Sequence, residues 1–472
     1  MGRGANRRIL DRAAAEALKF RNGIAERSHS PVKKYAEMVE MFASPLPEHP
    51  VDGEDVIKEL VAKADMGLMM PAGPRFFGWV IGGSHVVGVA ADWLTSAWGQ
   101  NVGNHHASPA ASAVEAAAAG WLLELLDLPR ESSVGFVTGA TVANFVCLAS
   151  ARDEVLRKAG WNADADGLFG APTINVIIGD DAHTTVFSAL QFLGLGRDRL
   201  IRVKTDGQGC MLVPAFADAI AKVRGPTIVV AQAGQINTGG FDNFSDIVPL
   251  VRQAGAWLHV DGAFGLWART SSKLSHLAAG VDGADSWATD GHKWLQTPYD
   301  SGYAIVRHEL AHRRAMTIAA SYLPMAAEGE RDPTHYVPEL SRRARGFPTW
   351  AIIKHLGRSG ISAMIDRHCE VARLMAVKLA AEPGIEILNT VVLNQIIARF
   401  GSGETRERAD ELTRKTIARI QADGECFAGG AIWRGRQIMR LSVIGWETNV
   451  AEGMVAAEAI IRAWKIVRQQ PD

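Results

Sequence analysis

The 472-residue chain predicts an α/β fold, with a mainly parallel central sheet, helices on both faces, and a smaller α+β domain after it. Three observations predict this. From Val134 onward, short apolar runs alternate with helical patterns, as happens when helices connect parallel strands. Residues able to do chemistry recur where those runs stop, and that is where open sheets bind ligands. From about Gly346 the alternation gives way to long helices separated by sparse strands.

In chain order, the residues up to Glu48 read as helical, with Met38, Val39, Met41 and Phe42 on an apolar face, until Pro45, Pro47 and Pro50 interrupt. A short helix is expected over 53–65. The stretch 71–83, containing Arg75-Phe76-Phe77-Gly78-Trp79, reads as an ordered loop, a kind of segment that often carries function. Phe76 and Phe77 are equally readable as core plugs. Ser108-Pro109 is a helix start, a capping hydroxyl followed by proline at the first helical position. Strands are expected at 134–138, 174–178, 200–203, 227–231, 257–260, 286–288 and 303–306, with helices at 142–158, 213–223 and 246–253 among them. Helices at 361–381, 406–421 and 451–464 and strands at 385–388, 395–400 and 437–443 form the smaller domain. The expected division is an N-terminal helical segment over 1–80, a large domain over 81–345 and a small domain over 346–472.

Composition narrows the function. Hydrophobic residues make up 47% and charged residues 21%, with a net charge of −1, the balance of a globular protein. No basic stripe points to nucleic acid and no basic amphipathic patch to a membrane surface. No run approaches the roughly 18 apolar residues of a membrane span. Cys147, Cys210, Cys369 and Cys426 are too scattered for a metal set or a disulfide framework, so no metal and a reducing cytoplasmic setting are expected. Asp11, Arg12 and Glu16 interrupt any apolar core after Arg7 and Arg8, which argues against a secretory signal, and Asn6 stands where a myristoylation site has Ser or Thr.

The chemistry centres on 284–302. An apolar strand stops at Asp290-Gly291, and His292, Lys293 and Trp294 follow. Desolvation beside apolar and aromatic residues lowers a lysine's pKa and frees a nucleophilic amine that forms Schiff bases with aldehydes, pyridoxal phosphate being the common case. Taken alone, this lysine fits equally well as a strand-closing residue beside a core tryptophan.

Three other strand ends bear on the choice. Thr138-Gly139-Ala140-Thr141 opens a helix with small residues, a turn able to seat a phosphate on backbone N–H groups. Such turns also occur for packing alone. His183 follows Asp181-Ala182 after a strand and can stack on a flat ring or simply cap a helix. Asp261, in His259-Val260-Asp261-Gly262-Ala263, can hold a pyridine nitrogen protonated or be an ordinary turn aspartate. Ala263 is small enough for a ring to lie against the backbone. The four features in this order are much stronger together than singly.

On Asp181-Ala182-His183, Phe241-Asp242-Asn243, His259-Val260-Asp261-Gly262-Ala263 and His292-Lys293-Trp294, the chain resembles the group II pyridoxal-phosphate-dependent amino acid decarboxylases, which include the aromatic-L-amino-acid and glutamate enzymes. The resemblance runs from about Arg75 to Arg440. It implies the fold-type I architecture of pyridoxal-phosphate-dependent transferases, a homodimer with shared active sites, and conversion of an L-amino acid to its amine and CO2. It further implies that Lys293 carries the cofactor as a Schiff base, that His183 stacks on the ring and that Asp261 pairs with the pyridine nitrogen. Gly139, Ala140, Thr141 and His292 then face the phosphate, Trp79 enters the substrate pocket, and the polar segment 101–106 comes from the partner subunit.

The chain departs from the family at Asp290, where the aromatic enzymes often have Asn, and at Gln232, where they have Thr. The family's loop tyrosine, which returns a proton to Cα, falls on Pro333. Tyr336, three residues on, is the candidate to replace it and keep the product an amine. Without a donor, oxidative deamination to an aldehyde is the alternative, as is transamination on the same fold.

Overall fold

The computed structural model describes residues 3–317 and 331–470. Two compact units are distinguished. The larger comprises Val80–Arg373 and Leu388–Ile397, and the other runs to Trp79 and takes in Leu374–Ile387 and the chain from Ala398 on.

The larger unit is built on a seven-stranded sheet: β1 (Ser133–Val137), β2 (Asn175–Gly179), β3 (Ile201–Val203), β4 (Thr227–Gln232), β5 (Trp257–Asp261), β6 (Ser286–Asp290) and β7 (Gly302–Val306). The order is β1-β7-β6-β5-β4-β2-β3. Among the described residues, β7 alone runs against the other six. β1, β4, β5, β6 and β7 are buried along their whole length, which is why they read as unbroken apolar runs rather than alternating ones. Val137, Ile178, Val230, Ala288 and Ala304 pack with Val146 of the helix Ala140–Lys158 and with Val186 and Leu190 of the helix Thr184–Phe192 in one core.

Register aligns the strand ends. Gln232 lies beside Asp261, and Asp261 beside Ala288. Because β7 is antiparallel between β1 and β6, its first residue, Gly302, pairs with both Val137 and Asp290. The turn after β1 and the turn after β6 are thereby brought to the same residue.

The other unit holds the helices Arg3–Asn22, Tyr35–Phe42 and Gly53–Ala64, the strands β8 (Ile385–Ile387), β10 (Gly429–Trp433) and β11 (Arg436–Ser442), and the part of β9 (Gln395–Phe400) from Ala398 on; the sheet order is β10-β11-β9-β8. Thr405 and Asn449 cap the helices Arg406–Asp423 and Val450–Val467 with their side-chain oxygens. The loop 75–79 is structural in this unit. Phe76 and Phe77 are buried, Phe76 stacks on Phe427 at 4.9 Å, and the Arg75 guanidinium reaches Glu452 at 2.5 Å and the Glu425 carbonyl at 2.8 Å. Trp79 leans on Phe427 at 5.0 Å with half its surface exposed.

Candidate active site

The site lies in the larger unit, at the C-terminal ends of its parallel strands, where carbonyl-end loops leave side chains unpaired by the sheet. Lys293 sits in the turn after β6 with a side chain only 13% exposed. Its Nζ lies 2.9 Å from Asp290 Oδ2. The other oxygen, Asp290 Oδ1, accepts the Ala140 N–H at 2.6 Å. Ala140 is the first residue of its helix, so this carboxylate rests on a positive helix end. Gly302 permits the approach: a Cβ there would lie 2.6 Å from Gly139 Cα. Gly139 in turn has no room for a side chain without pressing on His292 Cε1 and Asp290 Oδ1, at 3.0 and 3.3 Å from its ideal Cβ. Thr141 stands half-buried in the first turn of the same helix.

His292 completes this corner. Its Nδ1 accepts the Ser301 N–H at 3.3 Å, its Nε2 faces Asp290 Oδ1 at 3.6 Å, and its ring stacks on Tyr299 at 4.2 Å. Burial holds its pKa below the usual histidine value, opposed by Asp290. Trp294 points into the core, giving its indole N–H to His368 at 3.0 Å.

Asp261 closes β5, fully within the protein. Burial raises its pKa, against the lowering influence of His183, Lys293 and the Ala263 N–H, the last at 3.2 Å. His183 caps the helix Thr184–Phe192, its Nδ1 2.8 Å from the Thr185 hydroxyl. Gln232 and Asp261 line a small cavity together with Ala182 and Asp242. Ala263 also accepts the Asp290 N–H at 2.9 Å, tying the β5 and β6 turns together.

Thus Gly139, Ala140, Asp290, His292 and Lys293 form one contact group, with Asp261, His183 and Gln232 along the neighbouring strand ends. Tyr336 is not brought to them in its own chain. Its hydroxyl donates to Glu309 at 2.5 Å and its ring lies under the Arg331 guanidinium at 3.9 Å. Burial pushes its pKa up to about 12, with Arg331 opposing. The segment 101–106 is tied to the same region: Asp332 takes the His105 N–H at 2.9 Å and faces its Nδ1 at 2.7 Å, and Asn101 accepts the Arg342 N–H at 3.0 Å.

Some supporting residues carry no role in the sequence reading. Asp242 accepts backbone N–H groups from Met211 at 2.6 Å and Gln232 at 2.7 Å, and burial still lifts its pKa to about 6. Its place in Phe241-Asp242-Asn243 was the available signal. Asn144, which bonds His259 at 2.8 Å, and Tyr299, under His292, had none.

Chemically, the corner offers a protected amine, a helix end suited to an anion, and a buried carboxylate further along the sheet. Residues 36–400 match the pyridoxal-dependent decarboxylase conserved domain. The chain is 28% identical over 388 residues to an aromatic-L-amino-acid decarboxylase of Bacillus atrophaeus, covering 80% of this chain and 78% of that one. It is 22% identical over 444 residues to a phenylacetaldehyde synthase of Arabidopsis thaliana, covering 90% and 87%. The fold superposes on the crystal structure of Oryza sativa TDC with PLP and tryptamine with a TM-score of 0.91 over 99% of both chains, at 21% identity. The chain belongs to the pyridoxal-dependent decarboxylase family and is a pyridoxal-phosphate-dependent carboxy-lyase of amino acid metabolism.

Proposed function

We propose that the protein decarboxylates an L-amino acid to the corresponding amine and CO2, with Lys293 as the residue that holds pyridoxal phosphate covalently. The observation that carries this reading is the placement of a nearly buried lysine amine between a helix N-terminus and the row of strand ends bearing Asp261. The residues fit the cofactor by their chemistry. Gly139, Ala140, Thr141 and His292 suit the phosphate, His183 and Ala263 suit the two faces of a flat ring, Asp261 suits a pyridinium nitrogen, and Gln232 flanks Asp261. When bound, pyridoxal phosphate supplies an electron-accepting ring for the pair of electrons left as the Cα–carboxylate bond breaks.

The chain's own part is positioning and charge. Asp261, kept from water, holds a proton on the facing nitrogen more strongly than an exposed carboxylate would. His183, fixed by Thr185, limits how the ring can lie. Burial around Lys293 keeps competing water from the reacting atoms. The relatives that act on aromatic L-amino acids make those the first substrates to try, and a cytoplasmic homodimer is part of the same reading.

A second reading is favoured by the Tyr336 hydroxyl being engaged by Glu309. With no donor at Cα, the amino acid, O2 and water would give aldehyde, CO2, ammonia and hydrogen peroxide. The test is borohydride reduction of the loaded protein followed by peptide mapping, with amine, aldehyde and peroxide measured across an amino acid panel. Label on Lys293 and amine equal to CO2 support the first reading. Label on another lysine removes the site assignment, and aldehyde with peroxide selects the second reading.

A further inference from the structure

Two hydrogen-bonded rungs join the helix Ala140–Lys158 to the sheet, one helical turn apart. The upper rung is the Ala140 N–H on Asp290 Oδ1 at 2.6 Å. The lower is Asn144 Oδ1, 2.8 Å from His259 Nε2. Ala140 and Asn144 are four residues apart, on one face of the helix. His259 and Asp261 share one face of β5, as Ser286, Ala288 and Asp290 share one face of β6. His259 lies beside Ser286 in register, and its Nδ1 is 3.0 Å from the Ser286 hydroxyl. Asn144, His259 and Ser286 are all fully buried. Around this lower rung the packing is apolar: Ala143, Val146 and Cys147 of the helix share a core with Val230 and Ala288. Apolar packing presses the helix onto the sheet but is non-directional, so it does not fix where along the strands the helix stands. A directional bond does. The Cys147 thiol, 3.5 Å from the Trp287 carbonyl, is only a weak donor.

We propose that Asn144 and His259 are positioning residues that set the spacing between the two ends of the cofactor seat. The turn at the head of this helix, Gly139 to Thr141, is the phosphate end, and Asp261 is the ring-nitrogen end. Asn144 lies one turn below the first and His259 two residues before the second, so their bond ties the two ends together through regular elements. Pyridoxal phosphate carries its phosphate and its ring nitrogen on one rigid framework. A seat already held at the matching spacing gains the full advantage of that covalent link, and a seat whose spacing varies loses part of it. The upper rung alone leaves the helix free to pivot about a single bond. Stability alone does not account for the asparagine: among the described residues its Nδ2 is buried without a hydrogen-bond partner, and two apolar residues of similar shape would fill the space without that cost. This inference rests on the reading of Lys293 as the cofactor-bearing residue.

The experiment measures the affinity of apoprotein for three probes: inorganic phosphate, pyridoxal, and pyridoxal phosphate. The first two are the separate pieces and the third is the linked whole. Wild type is compared with Asn144→Leu/His259→Phe, which removes both partners at once and leaves neither polar group of the pair behind. Asn144→Ala, which shortens the side chain out of reach without adding bulk, is the second variant should the first not fold. The pieces are expected to bind the variant within about threefold of wild type, and pyridoxal phosphate at least about tenfold more weakly. Unchanged affinity for pyridoxal phosphate overturns the proposal. A loss shared equally by all three probes also overturns it, because that is what general loosening of the fold produces. Borohydride labelling of loaded wild type separates this inference from the reading it rests on. Label on Lys293 with unchanged affinity in the variant removes only the role of Asn144 and His259, whereas label on another lysine removes the site reading and this inference with it.

Discussion

His259 sits in the interior of the larger unit with a partner on each ring nitrogen. Its Nε2 is 2.8 Å from Asn144 Oδ1, an acceptor, and its Nδ1 is 3.0 Å from the Ser286 hydroxyl, which also accepts the Trp257 indole N–H at 2.9 Å. The consistent arrangement is a neutral ring donating from Nε2 and accepting at Nδ1. Burial accordingly pushes its pKa down to about 3. His312, between the Ser133 hydroxyl at 2.8 Å and the Tyr336 carbonyl at 2.9 Å, is pushed down to about 3 for the same reason. The sign of the pH effect follows. In the unfolded chain these rings take up protons near pH 6.5, while in the folded protein they stay neutral until about pH 3. Between those values the unfolded state binds more protons, so stability falls as the pH drops. The loss is expected to be on the order of a few kcal/mol by the acid end of the window. Urea unfolding of wild type and His259→Gln from pH 7 to pH 4 checks this. The variant is expected to be less stable at pH 7 and to show a shallower pH slope, and an unchanged slope would remove His259 from the linkage.

At the scale of elements, the antiparallel β7 is what assembles the corner around Lys293. Gly302 pairs with Val137 on one side and Asp290 on the other, and its missing side chain lets Gly139 cross within 2.6 Å of where a Cβ would stand. Gly302→Ala is therefore expected to push the β1 turn away from Asp290 and His292. Overpacking of this kind costs roughly 1–3 kcal/mol, and here the cost falls on the corner proposed to hold the cofactor. Pyridoxal phosphate affinity, followed by tryptophan quenching, should drop at least about tenfold while the far-ultraviolet circular dichroism stays that of wild type. Unaltered affinity would mean that the turn has slack.

This corner also marks how far the sequence could be read. The alternation of strands and helices is local and apolar, so the strands of the larger sheet were legible to within a residue or two, whereas β10, whose Gly429, Gly430 and Ala431 carry little apolar signal, was not expected. The placement of His183, Asp261 and Lys293 at or just beyond strand ends was legible, because each lies within a few residues of an apolar run. The direction of β7 was not, since an antiparallel strand in a buried position carries the same apolar pattern as a parallel one. Nor was the second use of Asp290, which depends on a turn 150 residues earlier in the chain. In the aromatic stretch 75–79, the reading of Phe76 and Phe77 as core plugs is the one their burial bears out, but their partner Phe427 is too distant in sequence to signal itself.

For the whole molecule, the sequence leads to the expectation of a homodimer. No helix among the described residues is long and apolar enough to cross a membrane, yet the helix Val86–Trp98 leaves Val86, Trp93, Leu94 and Trp98 between 45% and 58% exposed. Apolar side chains at that spacing form a stripe, and an exposed stripe with two tryptophans suits a protein partner. The polar segment 101–106 follows three residues later, with His105 held by Asp332, and the Tyr336 hydroxyl is held by Glu309. A second copy of the chain, packed through that stripe, would bring the segment to the other subunit's site. Under a two-fold arrangement, a Lys293→Ala subunit mixed with a subunit inactivated by substitution in 101–106 forms a hybrid with one intact site. Equal mixing then restores about a quarter of wild-type activity, since half of the dimers are hybrids with one working site each. Native mass spectrometry would count the hybrids in the same sample. Hybrids without recovered turnover would place the segment outside the shared site, and failure of the wild-type chain to form any dimer would leave the apolar stripe to another partner.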